Sequence, residues 1–156
     1  MTSAIPNLWP SINASEIKSP GWIIRVQASN LRESTNGLLE GEIEPIQSST
    51  EVCLKFYIVA PQIDRYRVEL FRIWHKPSMP YPVVLATEFW QELETIHPRI
   101  LNAEPFPNGG FMASNQHDFL KLLESLFQLD STKQVLDSLL ALTNDREPVL
   151  SSDASS

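Results

Sequence analysis

From Val52 to Val59 the side chains alternate, with Val52, Leu54, Phe56 and Ile58 on one parity and Cys53, Lys55, Tyr57 and Val59 on the other. Period-two alternation over eight residues fits a strand with one apolar face and does not fit a helix. A second run follows the punctuation of Pro61 and Asp64, with Tyr66, Val68 and Leu70 alternating with Arg67 and Glu69. The short Pro61–Arg65 connection makes the two runs an antiparallel hairpin. The alternation slips near Phe71 to Trp74, which marks a bulge or burial on both faces. Glu42 to Ile46 adds a strand before the hairpin, with Gln47 to Thr50 as the turn. Pro77, Pro80 and Pro82 form a stiff loop, and Val83 to Ala86 is a short further strand.

Helical signals flank this block. Ser19-Pro20 reads as an N-cap followed by proline at the first helical position. The helix it opens is expected to run from Pro20 to Leu39 and stop at Gly41. Ile24, Ala28, Leu31, Thr35 and Leu38 are spaced 4, 3, 4 and 3 along it, a helical stripe, with Arg25, Arg32 and Glu33 elsewhere on the wheel. That stripe packs on the sheet or, through Ile24, Leu31 and Leu38, contributes to a homodimer. Thr87 caps a brief helix over Glu88 to Ile96, and Asn102 to Asn115 reads as loop. Asp118 to Leu129 is a helix, and after a break at Asp130-Ser131 another carries Val135, Leu136, Leu139, Leu140 and Leu142. Strands and helices are segregated along the chain, so the expected class is α+β. The expected architecture is an antiparallel meander of three or four strands, packed by the N-terminal helix and followed by two short C-terminal helices.

Composition narrows the function classes. With 12 Lys plus Arg against 19 Asp plus Glu, the formal charge of the 156 residues is −7. That balance argues against nucleic acid, whose binding rests on neutralising phosphates. No apolar run approaches the roughly 18–20 residues of a membrane helix. Cys53 is the only cysteine, so no intrachain disulfide forms. Met1 to Trp9 carries neither a basic region nor an apolar block, and a soluble protein of the reducing cytoplasm is expected. On that view the sequon at Asn13 is chance. Residues 1–18 read as an arm lying on the domain, 19–143 as a single α+β domain, and 144–156 as a polar tail.

The chemistry-bearing residues form no recognisable catalytic or metal motif. His75, His97 and His117 stand 22 and 20 residues apart, without a His-x-x-x-His or Cys-x-x-Cys pair to anchor a metal. Cys53 sits mid-strand on the parity opposite the apolar face, where nothing lowers its pKa. Asn108-Gly109-Gly110 follows prolines and lacks the lysine and the strand–loop–helix setting of a phosphate loop. No cofactor is expected. The most distinctive cluster is Arg65, Arg67, Arg72, Trp74, His75 and Lys76, which gathers five cationic or titratable groups on one hairpin of an acidic chain. It reads as a solvated strand face or as a surface meeting an acidic protein partner. Further contact candidates are Tyr81 in the Pro77–Pro82 loop, and Phe106 and Phe111 in the Pro105–Phe111 loop, which either anchor a partner or tuck inward. The expectation is a non-catalytic protein–protein interaction module. Its alternative is a small enzyme whose site gathers two or more of His75, His97, Glu92, Glu94 and Arg99 in one pocket.

An ordered series of segments runs through the middle of the chain. Leu54-Lys55-Phe56-Tyr57-Ile58-Val59-Ala60-Pro61 precedes Arg67 to Ile73, then Pro80-Tyr81-Pro82, then His97-Pro98. The series resembles the ubiquitin-conjugating enzymes and their catalytically silent RWD and variant relatives. Those proteins begin with a helix, run a four-stranded meander with a proline-flanked Tyr-Pro between the third and fourth strands, and finish with helices. His97-Pro98 is similar to their His-Pro-Asn, with Arg99 in the asparagine position. The similarity covers Pro20 to Pro98. It departs where Glu88–Ile96 intervenes and where the thioester cysteine is missing, since no cysteine follows Cys53. What the resemblance implies is a binding module without conjugating activity.

Overall fold

The computed structural model describes residues 5–11, 17–48, 50–101 and 109–146. Phe106, the sequon at Asn13, Asn108 and the tail beyond Arg146 lie outside the described residues.

The elements are α1 (Pro20–Ser34), β1 (Glu40–Ile46), β2 (Val52–Ala60), β3 (Tyr66–Lys76), β4 (Met79–Ala86), α2 (Trp90–Leu93), β5 (Phe111–Ala113), α3 (Gln116–Phe127) and α4 (Asp130–Arg146). The strands form one antiparallel meander in the order β1-β2-β3-β4-β5. The α+β class and the helix-packed antiparallel meander are those expected from the alternation, with a fifth strand added.

Local chemistry sets the boundaries. The Ser19 hydroxyl accepts from the Trp22 N–H at 3.2 Å and Pro20 occupies the first turn, as read from the sequence. α1 ends well before the expected Leu39 because Asn36 and Gly37 adopt left-handed φ values of 53° and 81°. Gly37 donates to the Arg32 carbonyl, and the Thr35 hydroxyl donates to the Leu31 carbonyl and accepts from the Leu39 N–H, closing the last turn. β4 starts at Met79, so the expected proline loop shrinks to Pro77-Ser78. Pro80 and Pro82 fit within a strand because the β3–β4 ladder is interrupted between the Trp74 and Lys76 pairings. The bulge lies opposite Phe56/Tyr57, where Leu70 is the extra residue, just before the segment the slipping pattern indicated.

The inner sheet face carries Leu54, Phe56, Ile58, Phe71, Ile73, Val83, Leu85, Phe111 and Ala113 against Ile24, Phe119, Leu122, Leu126 and Leu139 of the helices. Phe56 and Phe71 stack with centroids 4.9 Å apart. The outer face of β2 is not simply polar, since Cys53, Tyr57 and Val59 are buried too. Of the three residues of the expected dimer seam, Ile24 is fully buried and Leu31 packs half-buried on the same core, while Leu38 lies beyond the end of α1. Of the arm, Ile5, Leu8 and Trp9 are 88%, 84% and 76% exposed, whereas Lys18 is hydrogen-bonded to the domain through Gln116 and Tyr81. No described helix is long and apolar enough to cross a membrane.

Candidate functional site

The arginines of the hairpin cluster occupy the outer face of β3 and the β2–β3 turn, where the register sets Arg65 and Arg67 beside the glutamates of β1, whereas His75 shares the inner-face parity of Phe71 and Ile73. Glu42 pairs with Tyr57 and Val59 with Arg67, so the Arg67 guanidinium reaches diagonally across the Tyr57 ring, 4.0 Å from its centroid. It donates to Glu42 at 2.8 Å and Glu44 at 3.3 Å. Arg65 donates to the other Glu42 oxygen at 3.0 Å. Arg72 grips Glu69 through two hydrogen bonds of 3.0 and 2.9 Å, and that carboxylate holds its pKa above the ordinary value. The three hairpin arginines are therefore balanced within the sheet and do not form a free positive patch.

The other members of the cluster have separate surroundings. His75 is buried and its Nδ1 donates to the Lys76 carbonyl at 2.8 Å. Trp74 packs half-buried with Val84, Ala86 and Ile100, its buried Nε1 without a hydrogen-bond partner among the described residues. Lys76 is exposed. Tyr81 donates its hydroxyl to the Lys18 carbonyl at 2.8 Å and sets its ring edge-on to Phe119; burial pushes its pKa up to about 12. Phe111 is only 1% exposed, and this corrects its place among the partner-contact candidates: as the first residue of β5 it belongs to the core.

Among the residues of the enzyme alternative Glu94 and Arg99 pair with each other, and Glu92, His97 and His75 have separate structural partners. Glu92 caps α4, accepting from the Asp130 N–H at 2.8 Å and from the Ser131 hydroxyl. The Ser131 hydrogen bond, aided by backbone N–H groups, holds the Glu92 carboxyl below its ordinary pKa. Glu94 accepts from Arg99 at 2.7 Å, and Arg99 lies over the Trp90 ring at 4.1 Å. His97 Nε2 meets the Ser125 hydroxyl at 2.8 Å. A cleft of about 260 Å³ is lined by His97, Pro98, Met112, Asp118 and Lys121, with His97 the only one of the five enzyme candidates in it. Burial pushes the Cys53 thiol up, away from the nucleophilic range. Among the described residues no three His, Cys, Asp or Glu side chains are grouped to hold a metal.

A surface the sequence reading passed over lies on α1. Trp22, Arg25, Ser29 and Arg32 are spaced 3, 4 and 3 and all are exposed. Lys18 extends the line, its ammonium 4.8 Å from the Trp22 ring centroid. Neither Arg25 nor Arg32 has an ion pair among the described residues. The signal in the sequence is the run of cations at 18, 25 and 32, a seven-residue spacing that puts Arg25 and Arg32 on one helix face.

Comparison of the chain with protein-family models, with curated proteins and with solved structures returns no match.

Proposed function

We propose that this chain is a non-catalytic protein–protein interaction module of the reducing cytoplasm, on a scaffold like that of the inactive ubiquitin-conjugating-enzyme-like and RWD proteins. One observation carries the reading. The side chains from which a catalytic site would be assembled are engaged in holding the scaffold: Glu92 on α4, Glu94 on Arg99, His97 on Ser125 and His75 on its own strand. What remains for contact with other molecules is surface.

The family part of the proposal is supported by the order of α1, four meander strands and later helices; Pro80-Tyr81-Pro82 departs from the pattern, lying within β4 and not between the third and fourth strands. His97-Pro98 leads into the bridge between Ile100 and Gly110. β5 is an addition to the four-stranded pattern. No cysteine follows Cys53, so a thioester cannot form there.

The test is affinity capture from the cells of origin, with the tagged full chain beside a His97→Asn, Asp118→Asn variant that melts like wild type. The expected result is one partner, held stoichiometrically through gel filtration and equally by both baits. Failure to recover any partner, even after cross-linking, overturns the module reading. Recovery of a small molecule that only the intact cleft retains turns the reading towards an enzyme.

A further inference from the structure

The α1 stripe differs from the three hairpin arginines in having no ion pair at Arg25 or Arg32 among the described residues. At about 100° per residue, Trp22, Arg25, Ser29 and Arg32 fall within roughly 80° of arc. The opposite side of the helix is buried through Ile23 and Ile24, so this arc faces solvent by construction. Lys18 stands at its start, its backbone fixed by Gln116 at 2.8 Å and by the Tyr81 hydroxyl at 2.8 Å. Glu33 borders the arc near Ser29 and Arg32, leaving a net charge of +2 along a face of a chain whose total is −7. A shallow depression lined by Ser29, Arg32, Glu33, Asn36 and Gly37 continues the face past the end of the helix.

We infer that the solvent face of α1 is a docking surface for an acidic, amphipathic segment of a partner protein. The inference rests on the interaction-module reading and gives that module its surface. Arg25 and Arg32 lie seven residues apart, about 10.5 Å along the axis. Two carboxylates seven residues apart on a partner helix match them, while an apolar side chain about one turn beyond the carboxylate that meets Arg25 covers the Trp22 ring. Guanidinium forks suit carboxylates at an interface, and a half-exposed tryptophan beside them supplies the apolar anchor. An anionic membrane is a poorer match, since lipid-reading clusters carry about 4–8 cations and this face carries three on an acidic protein.

The experiment titrates the full chain with a labelled helical peptide bearing glutamates seven residues apart on a leucine-containing face, beside the same peptide with lysines. The acidic peptide is expected to bind saturably and to weaken as salt rises, and the lysine peptide not to bind. Arg25→Glu with Arg32→Glu should weaken binding at least about tenfold, and Trp22→Ala by several-fold, while Arg65→Gln with Arg67→Gln stays within about twofold. These positions are exposed, and unchanged melting of each variant confirms that folding is intact; Arg25→Gln with Arg32→Gln serves if the charge reversal melts early. Absence of saturable binding, or equal binding by the α1 variant, overturns the inference. Tighter arginine-dependent binding to phosphatidylserine vesicles than to the peptide also overturns it, in favour of a membrane. A cellular partner captured equally by wild type and the α1 variant overturns the α1 assignment and leaves the module reading standing. The expected peptide result without any cellular partner supports the α1 chemistry and overturns the module reading.

Discussion

The molecule has two basic regions of similar composition and opposite electrostatic state. On the hairpin, Arg65, Arg67 and Arg72 each face a carboxylate within 3.0 Å. On α1, Arg25 and Arg32 project into solvent with no such neighbour among the described residues. The difference comes from topology and not from the arginines. A strand in the middle of a sheet has neighbours on either side whose side chains share its face, so a charge there meets whatever the register brings. A helix lying on the sheet has a far side with no neighbour at all. Cations on such a far side remain available to another molecule, whereas paired surface cations have already lost most of their attraction.

The largest expected effect comes from the point where the two regions touch. Gly41 of β1 lies under Ala28 of α1, and a Cβ built there falls 2.5 Å from the Ala28 Cβ and 2.8 Å from Phe56 Cζ. Gly41→Ala therefore pushes the helix off the strand that carries Glu42 and Glu44, at a cost of about 1–3 kcal/mol in urea unfolding. The gain in strand propensity from replacing glycine, roughly 0.5–1 kcal/mol, is too small to offset the clash. Adding Ala28→Gly should recover part of the loss, because it removes the nearest of the obstructing atoms. An unchanged midpoint for Gly41→Ala would mean the helix and sheet are not held in close register.

Tyr81 has the next largest effect, through the start of α1. Tyr81→Phe removes the hydrogen bond to the Lys18 carbonyl and should cost about 0.5–1.5 kcal/mol. The same hydroxyl makes stability depend on alkaline pH. Its folded pKa of about 12 lies above its ordinary value of 10.0. The folded state thus resists ionisation, and this contribution is complete below about pH 10 and falls away as the pH climbs towards 12. Urea midpoints measured from pH 8 to 11 should decline for wild type more steeply than for Tyr81→Phe. Parallel curves would show that Tyr81 does not titrate in that window.

Much of the fold was legible because strong local periodicity and sheet burial agree. Val52–Val59 alternates and forms β2, and Ser19-Pro20 caps α1 as its chemistry requires. The misses have local causes. β5 has three residues, set just after Gly109 and Gly110, too short for a period to register. The early end of α1 depends on left-handed Asn36 as well as Gly37, and the apolar stripe ran on through both. The site was much less legible. Arg67 and Glu42 are 25 residues apart, so their pairing exists only once β1, β2 and β3 are in register. A cationic cluster in a sequence shows where charge is concentrated, and its cross-strand neighbours decide whether that charge is free.

The last prediction breaks the comparison while leaving stability nearly untouched. Glu42 holds both Arg65 and Arg67, so Glu42→Gln leaves Arg65 without its carboxylate and Arg67 with only the 3.3 Å contact to Glu44. These pairs are exposed and screened, and the melting temperature should scarcely move. The electrostatic state of the hairpin changes nonetheless, from balanced to positive. If neutralisation across the sheet is what distinguishes the two regions, this variant gains a second, salt-sensitive site for the acidic peptide, and the added Arg65→Gln, Arg67→Gln pair removes it. If Glu42→Gln binds the peptide with wild-type stoichiometry, the contrast has another origin. The helix would then differ through its shape and its exposed Trp22, with charge pairing secondary.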